Sequence, residues 1–216
     1  MRRAVPIILV LGVGCLGPVP AVVHGAEKPL FDGKSFDGWE GDTAKTWRIE
    51  DGAIVGGSLD TVVPRNEFLC TTKPYADFEL KLKFKLVGDR AKANAGVQFR
   101  TKRIPNHHEV SGYQADVGQD YWGALYDESR RNKVLARPDK AMLEKLVKHE
   151  DWNEYTIRCQ GPRIQLWLNG TQTVDYTEAD EKIERAGIIG LQIHGGAKAK
   201  VLYKDIRIEE LPAAKP

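Results

Sequence analysis

Along most of the chain, apolar and polar residues change places at every second position. In Phe78-Glu79-Leu80-Lys81-Leu82-Lys83-Phe84-Lys85 the even positions are apolar and the odd ones charged, the period of a strand with one face buried and one wet. The same alternation runs through Gly96–Arg100, Tyr155–Cys159, Ile164–Leu168, Ile188–His194 and Val201–Ile208. Two hairpin signals punctuate it: Asp51-Gly52 joins Trp47–Glu50 to Ala53–Val55, and Asn169-Gly170 joins Ile164–Leu168 to Thr173–Tyr176. Such pairs accept the positive φ of tight turns. One short helix is predicted around Lys140–Lys148, after the breaker Arg137-Pro138-Asp139. Roughly ten short strands with almost no helix predict an all-β protein, an antiparallel β-sandwich or jelly roll. Two stretches resist strand assignment and are predicted as long loops: Thr101–Ser111, with Pro105 and Asn106, and Gly118–Lys133, rich in aromatic and charged residues.

Composition adds a leader and removes some partners. Met1-Arg2-Arg3 precedes a mostly apolar run from Ala4 to Leu16, the form of an export signal too short to span a bilayer. Cleavage after Gly25 is expected, leaving one domain over 26–216 in the periplasm or outside the cell. The other reading of the leader lipidates Cys15, in Gly12-Val13-Gly14-Cys15. No later segment has the run of apolar residues a membrane helix needs. A net charge of +2 gives no electrostatic case for nucleic acid. Cys70 and Cys159 follow the leader; an oxidising compartment permits a disulfide between them, and two separate buried thiols is the other reading.

Alternation also assigns faces. Burying Val97 and Phe99 turns Gly96, Gln98 and Arg100 the other way; burying Tyr113, Ala115 and Val117 presents Gln114 and Asp116; burying the aliphatics of Ile189–Ile193 presents Gly190, Gln192 and His194. Three strands thus offer polar pairs in similar positions. One reading is an ordinary solvated face. The other is a site for a polyhydroxylated ligand, since buried polar groups demand partners, with Gly96 and Gly190 leaving room for its approach. Tyr121 and Trp122 add aromatic planes beside the carboxylates of Asp127 and Glu128, which accept hydroxyl hydrogen bonds or move protons. His107, His108 and Glu109 are the metal candidates, through a divalent ion shared with a strand carboxylate; their spacing does not fit the two-histidine helical zinc motif. There is no Gly-x-Ser-x-Gly elbow and no phosphate-binding glycine loop before a helix.

The order of several short segments resembles the 3-keto-disaccharide hydrolase family. These are Leu30-Phe31-Asp32-Gly33-Lys34-Ser35-Phe36-Asp37-Gly38-Trp39, Trp47–Ile54, Tyr75–Leu80, Asn94–Arg100, Gly112–Asp116, Trp152–Tyr155, Trp167–Gly170, Gly190–Gly195 and Tyr203–Ile208. The chain differs from many members at Gln114, where they have Glu, and at Ile193, where they have Asp. The resemblance implies a concanavalin A-like sandwich, bacterial export, and cleavage of glycosides oxidised at carbon 3. A ketone there acidifies the proton on carbon 2, so a base, an enolate-stabilising group and a leaving-group acid suffice. On that reading His194 is base or acid, Asp116 orients it, and Arg100 or a divalent ion steadies the enolate oxygen. Gln98, Gln114 and Gln192 hold hydroxyls, with Tyr121, Trp122, Asp127 and Glu128 beside them. The competing readings are a non-catalytic carbohydrate-binding module on the same fold and a protein-interaction domain using the Gly118–Lys133 loop.

Overall fold

A computed structural model describes residues 25–214; the predicted leader, including Cys15, lies outside the described residues except for Gly25. The elements in chain order are β1 (Lys28–Pro29), β2 (Trp39–Glu40), β3 (Trp47–Glu50), β4 (Ala53–Ser58) and β5 (Glu67–Thr71). Next come β6 (Phe78–Gly88), β7 (Asn94–Arg103), β8 (Val110–Gly118), β9 (Leu125–Glu128) and β10 (Lys133–Ala136). Helix α1 (Lys140–Leu146) leads to β11 (Asn153–Gln160), β12 (Arg163–Leu168), β13 (Thr171–Thr177), β14 (Ile188–Ile193) and β15 (Ala199–Glu210). The strands form two antiparallel sheets. The first runs β13-β12-β11-β6-β15-β4-β3 with β1 beside β15; the second runs β10-β9-β8-β7-β14-β5-β2. This is the predicted β-sandwich, and among the described residues no helix is long and apolar enough to cross a membrane.

Both predicted hairpins form. Asp51 (φ 49°) and Gly52 (φ 74°) join β3 to β4, and Asn169 (φ 49°) and Gly170 (φ 79°) join β12 to β13. Two successive positive φ values match the right-handed twist of the flanking strands. The helix begins one residue after Asp139, whose carboxylate accepts from the amides of Ala141 and Met142.

The core lies between the sheets. Leu80, Leu82 and Phe84 of β6, with Tyr155 and Ile157 of β11, meet Val97 and Phe99 of β7, Ala115 and Val117 of β8 and Leu191 and Ile193 of β14. The two sheets differ on their outer faces. Strand β6 alternates between buried and part-buried along its length, as a half-wet strand does. Strands β7 and β8 are buried at nearly every position, so the outer face of the second sheet is not a wet surface.

Two expectations are corrected, and one open alternative is decided. Gly118–Lys133 is not one loop: it contains β9, which pairs with β8 through Tyr113↔Asp127 and Gln114↔Tyr126, and β10 follows at Lys133. The strand was hidden because Asp127, a charged residue, faces the core. In Thr101–Ser111 only 104–109 is loop, since β7 runs on to Arg103 and β8 begins at Val110. Cys70 and Cys159 are separate buried thiols on different sheets, pushed up to about 12 by burial.

Candidate functional site

Register brings the predicted glutamines together. Gly190 lies opposite Gln98, and Gln98 opposite Gln114; one row along, Gln192 lies opposite Gly96, and Gly96 opposite Asp116. Directly opposed residues share a face, so Gln98, Gln114, Asp116 and Gln192 occupy one patch on the outer side of the second sheet. All four are buried, Gln98 and Gln192 completely. The glycines have a different use from the one expected. A Cβ at Gly96 would lie 2.5 Å from Gln114 Cδ, and one at Gly190 would lie 3.2 Å from Gln98 Cβ. The room they leave is filled by the glutamines themselves.

A polar network ties the patch. Gln98 Nε2 donates to Gln114 Oε1. Asn94 Nδ2 (2.9 Å) and the Val117 amide (2.9 Å) both donate to Asp116 Oδ1. Gln192 Nε2 lies 3.5 Å from Glu128 Oε2. The network is incomplete in one direction: Gln98 Oε1, Gln192 Oε1 and Glu109 Oε2 are buried acceptors with no hydrogen-bond partner. Buried polar atoms are rarely left so, and each orphan costs on the order of 1–3 kcal/mol. A ligand rich in hydroxyl donors would supply the missing partners.

Two carboxyls at the patch carry perturbed acidities. Burial pushes Asp116 up to about 7, against the hydrogen bonds from Asn94, Gln114 and the Val117 amide, and the Glu128 charge raises it further. Burial also pushes Glu128 up to about 7, and the neighbouring Glu109 charge adds to this. Tyr126, opposite Gln114, is raised by burial and by the charges of Glu128, Tyr121 and Asp116, so its hydroxyl keeps its proton. Tyr121 meets Tyr126 edge-on at 6.4 Å.

The first sheet braces this patch from behind. Tyr155 Oη donates to the Asp116 carbonyl and accepts from the Gly123 amide at 3.0 Å. Tyr203 Oη lies 2.9 Å from Gly96 O and 2.8 Å from Gln192 O. Both tyrosines are fully buried, so the backbone bearing Asp116 and Gln192 is fixed by hydrogen bonds that water cannot replace.

Other predicted residues lie elsewhere. Arg100 does not share the glutamine face. It sits at a break in the β7–β8 register with φ 45°, which turns its guanidinium to Asp77 Oδ1 (2.8 Å), Ala76 O (2.9 Å) and Gly161 O (2.7 Å). Period-2 alternation fails at such a bulge. Asp127 points into the sandwich, opposite Tyr113, and pairs with Arg130 and Arg131. Arg131 also holds Glu178 (2.6 Å), which accepts from Tyr113 Oη at 2.7 Å. Trp122 packs in the core against Phe84 at 6.2 Å, with His149 edge-on at 5.7 Å. His194 follows the end of β14; it is exposed, its amide donates to Asn94 O (3.0 Å), and its Nδ1 is 2.7 Å from Gly195 O. That puts it at the rim, next to the residue that holds Asp116.

His107 and His108 stack at 4.4 Å, and His108 Nε2 is 3.4 Å from Glu109 Oε1. Glu109 Oε1 also accepts from Asn66 Nδ2 at 3.0 Å, and Asn66 Oδ1 accepts from the Gly195 amide at 3.0 Å. Among the described residues no group of three or more His, Cys, Asp or Glu is arranged to hold a metal ion. Sequence reasoning missed Asn94 and Asn66 and gave Tyr126 no role. Tyr126 falls at the alternate position to Asp127 in β9, a signal legible only once that strand is recognised.

Solved structures of other proteins share this fold. A "putative glycosyl hydrolase" from Parabacteroides distasonis superposes with a TM-score of 0.65 at 20% identity, over 87% of this chain and 94% of that one. The carbohydrate-binding module CBM66 from Bacillus subtilis superposes with a TM-score of 0.61 at 15% identity, over 80% and 95%. A Bacillus subtilis protein of unknown function with a galectin-like fold gives 0.63 at 12% identity, over 89% and 98%. At these identities the likeness is one of fold. No curated protein matches the sequence. The sequence itself matches the 3-keto-alpha-glucoside-1,2-lyase-like domain over residues 26–209, and the chain belongs to that family.

Proposed function

We propose that this protein cleaves glycosides oxidised to a ketone at carbon 3, by proton abstraction at carbon 2 and elimination of the group on carbon 1. One observation carries the reading. On a single buried face, two carboxyls poised near pH 7 stand beside amide carbonyls that lack donors. A base with pKa near neutrality is what proton abstraction beside a ketone requires, and a sugar's hydroxyls satisfy orphaned acceptors. Family membership supports a carbohydrate as the substrate class.

In this mechanism Glu128, the more accessible carboxyl, takes the carbon-2 proton. The C–H electron pair forms the carbon 2–carbon 3 double bond, and the ketone π electrons move to its oxygen. Tyr126, protonated, donates a hydrogen bond to that enolate oxygen. The enolate then collapses, the carbon 1–oxygen bond breaks with formation of a carbon 1–carbon 2 double bond, and the leaving oxygen takes a proton. His194 at the rim is the proposed donor. Water adding across the new double bond completes net hydrolysis. Burial and the Glu109 charge keep the Glu128 carboxyl near neutrality, and Gln98 and Gln192 accept substrate hydroxyls. The leader-like residues 1–25 place this activity outside the cytoplasm in our reading.

The test is product analysis with a 3-keto-disaccharide and its unoxidised parent, with and without chelator. Cleavage only of the ketone, lost in Glu128→Gln, is the expected result. Cleavage of the parent at a similar rate indicates an ordinary two-carboxylate glycosidase, and saturable binding without product indicates a carbohydrate-binding module. Either outcome overturns the proposal. Activity lost to chelator and restored by a divalent ion moves the enolate-stabilising role from Tyr126 to a metal.

A further inference from the structure

A polar pocket lies away from the glutamine face, at the end of the second sheet. Its volume is about 110 Å³, and its walls include Thr101, Lys102, Ser111, Arg130, Lys182 and Glu184. Two of its groups are unsatisfied. The Thr101 hydroxyl is buried, in a residue only 1% exposed, and has no hydrogen-bond partner. Arg130 Nη2 is buried and also lacks one; it lies 2.8 Å from Asp127 Oδ1, off the line a hydrogen bond needs, while Arg130 Nε makes the aligned bond at 2.8 Å. The arginine network balances itself, Arg130 and Arg131 against Asp127 and Glu178. Lys182 is therefore added positive charge, and Lys102 is only loosely held by Glu184 at 3.6 Å between exposed side chains.

We infer that this pocket binds a tetrahedral oxyanion, a sulfate or phosphate group. Both orphaned groups can donate, which selects a ligand rich in acceptors. Hydrogen bonds from guanidinium and hydroxyl to an ionised oxygen are among the stronger ones available, and the surrounding lysines favour an anion. At ~10–15 Å³ per water, the pocket has room for a five-atom oxyanion and a few waters. The same chemistry arises from a free inorganic ion or from a sulfate or phosphate ester on a glycan.

Isothermal titration of the protein with sodium sulfate and with inorganic phosphate, against sodium chloride at matched ionic strength, tests this. Saturable one-to-one binding of sulfate or phosphate, absent with chloride, is expected. Thr101→Val should weaken it about tenfold or more, the loss of one hydrogen bond to a charged group. It should leave the melting temperature of the ligand-free protein unchanged or raised, because the orphaned hydroxyl is gone. Lys182→Glu, an exposed change that does not touch the core, should weaken it about tenfold. Glucose 6-sulfate binding more tightly than sulfate assigns the pocket to an ester on a glycan, and equal or weaker binding assigns it to the free ion. No saturable binding of either anion, or equal affinity in all three proteins, overturns the inference.

Discussion

Asp127 and Glu128 are neighbours in β9, yet they end in opposite electrostatic worlds. Asp127 faces inward and is enclosed by Arg130 and Arg131, which continue to Glu178 and the Tyr113 hydroxyl. Within this network burial pushes the Glu178 carboxyl up, but Arg131, Tyr113 and the Asp180 amide hold it at about 2. Glu128 faces outward, with no cation and a weak amide contact, and stands at about 7 beside Asp116. The inner network has its charges paired and serves the fold. The outer cluster holds unpaired carboxyls and unsatisfied amides that the folded state tolerates at a cost. Perturbed, unpaired groups gathered on one face mark a functional site more reliably than buried charge alone.

The largest expected effects break that contrast directly. Glu128→Gln should lower kcat/KM for a 3-keto-glycoside by about 10²–10⁴-fold with the melting temperature held or raised, because an ionisable group is lost from a poorly solvated place. Rate assays and thermal melts on the same preparation check both halves. Glu178→Gln should do the reverse. Removing one partner of the buried pair should destabilise the protein by about 3–5 kcal/mol in denaturant melts, and leave activity at low temperature within a few-fold.

The pH dependence sharpens the comparison. Asp116 and Glu128, raised to about 7 from ordinary values of 3.8 and 4.5, bind more protons folded than unfolded between those limits. They therefore lower stability as pH rises from about 4 to 7, by at most about 1.4 kcal/mol per pH unit for each group. Glu178, lowered to about 2, contributes stability above about 4.5 that disappears as pH falls toward 2. Asp116→Asn should flatten the first limb and Glu178→Gln the second, in melts taken across pH 2–8. In the wild type kcat/KM should climb with pH through about 7. A flat rate profile with intact folding would remove Glu128 as the base.

Smaller effects come from the brace and the rim. Tyr155→Phe removes the hydrogen bond to the Asp116 carbonyl and leaves the Gly123 amide only its longer bond to Asp116 O at 3.2 Å, and should cost about 1–3 kcal/mol in thermal or urea unfolding. His194→Ala should slow turnover by about tenfold at a substrate with a poor leaving group, and less at one whose leaving group needs no proton.

Much of this was written in the chain. Strand periodicity, the Asp51-Gly52 and Asn169-Gly170 turns and the short helix are local properties, and they suffice to specify a sandwich. Alternation also placed Gln98, Gln114, Asp116 and Gln192 on one face, because each lies within a regular strand whose apolar neighbours must face the core. Arg100 escaped that logic at a bulge, where one irregular residue turns its side chain. Asp127 escaped it because its hydrophobic stand-in is an ion network built from Arg130, Arg131 and distant Glu178. Whether a buried carboxylate meets a cation, or a glutamine carbonyl meets a donor, depends on residues brought together by pairing far along the chain. Sequence therefore determined which face each strand residue takes, and tertiary structure alone decided which polar groups on those faces are satisfied and which are left open.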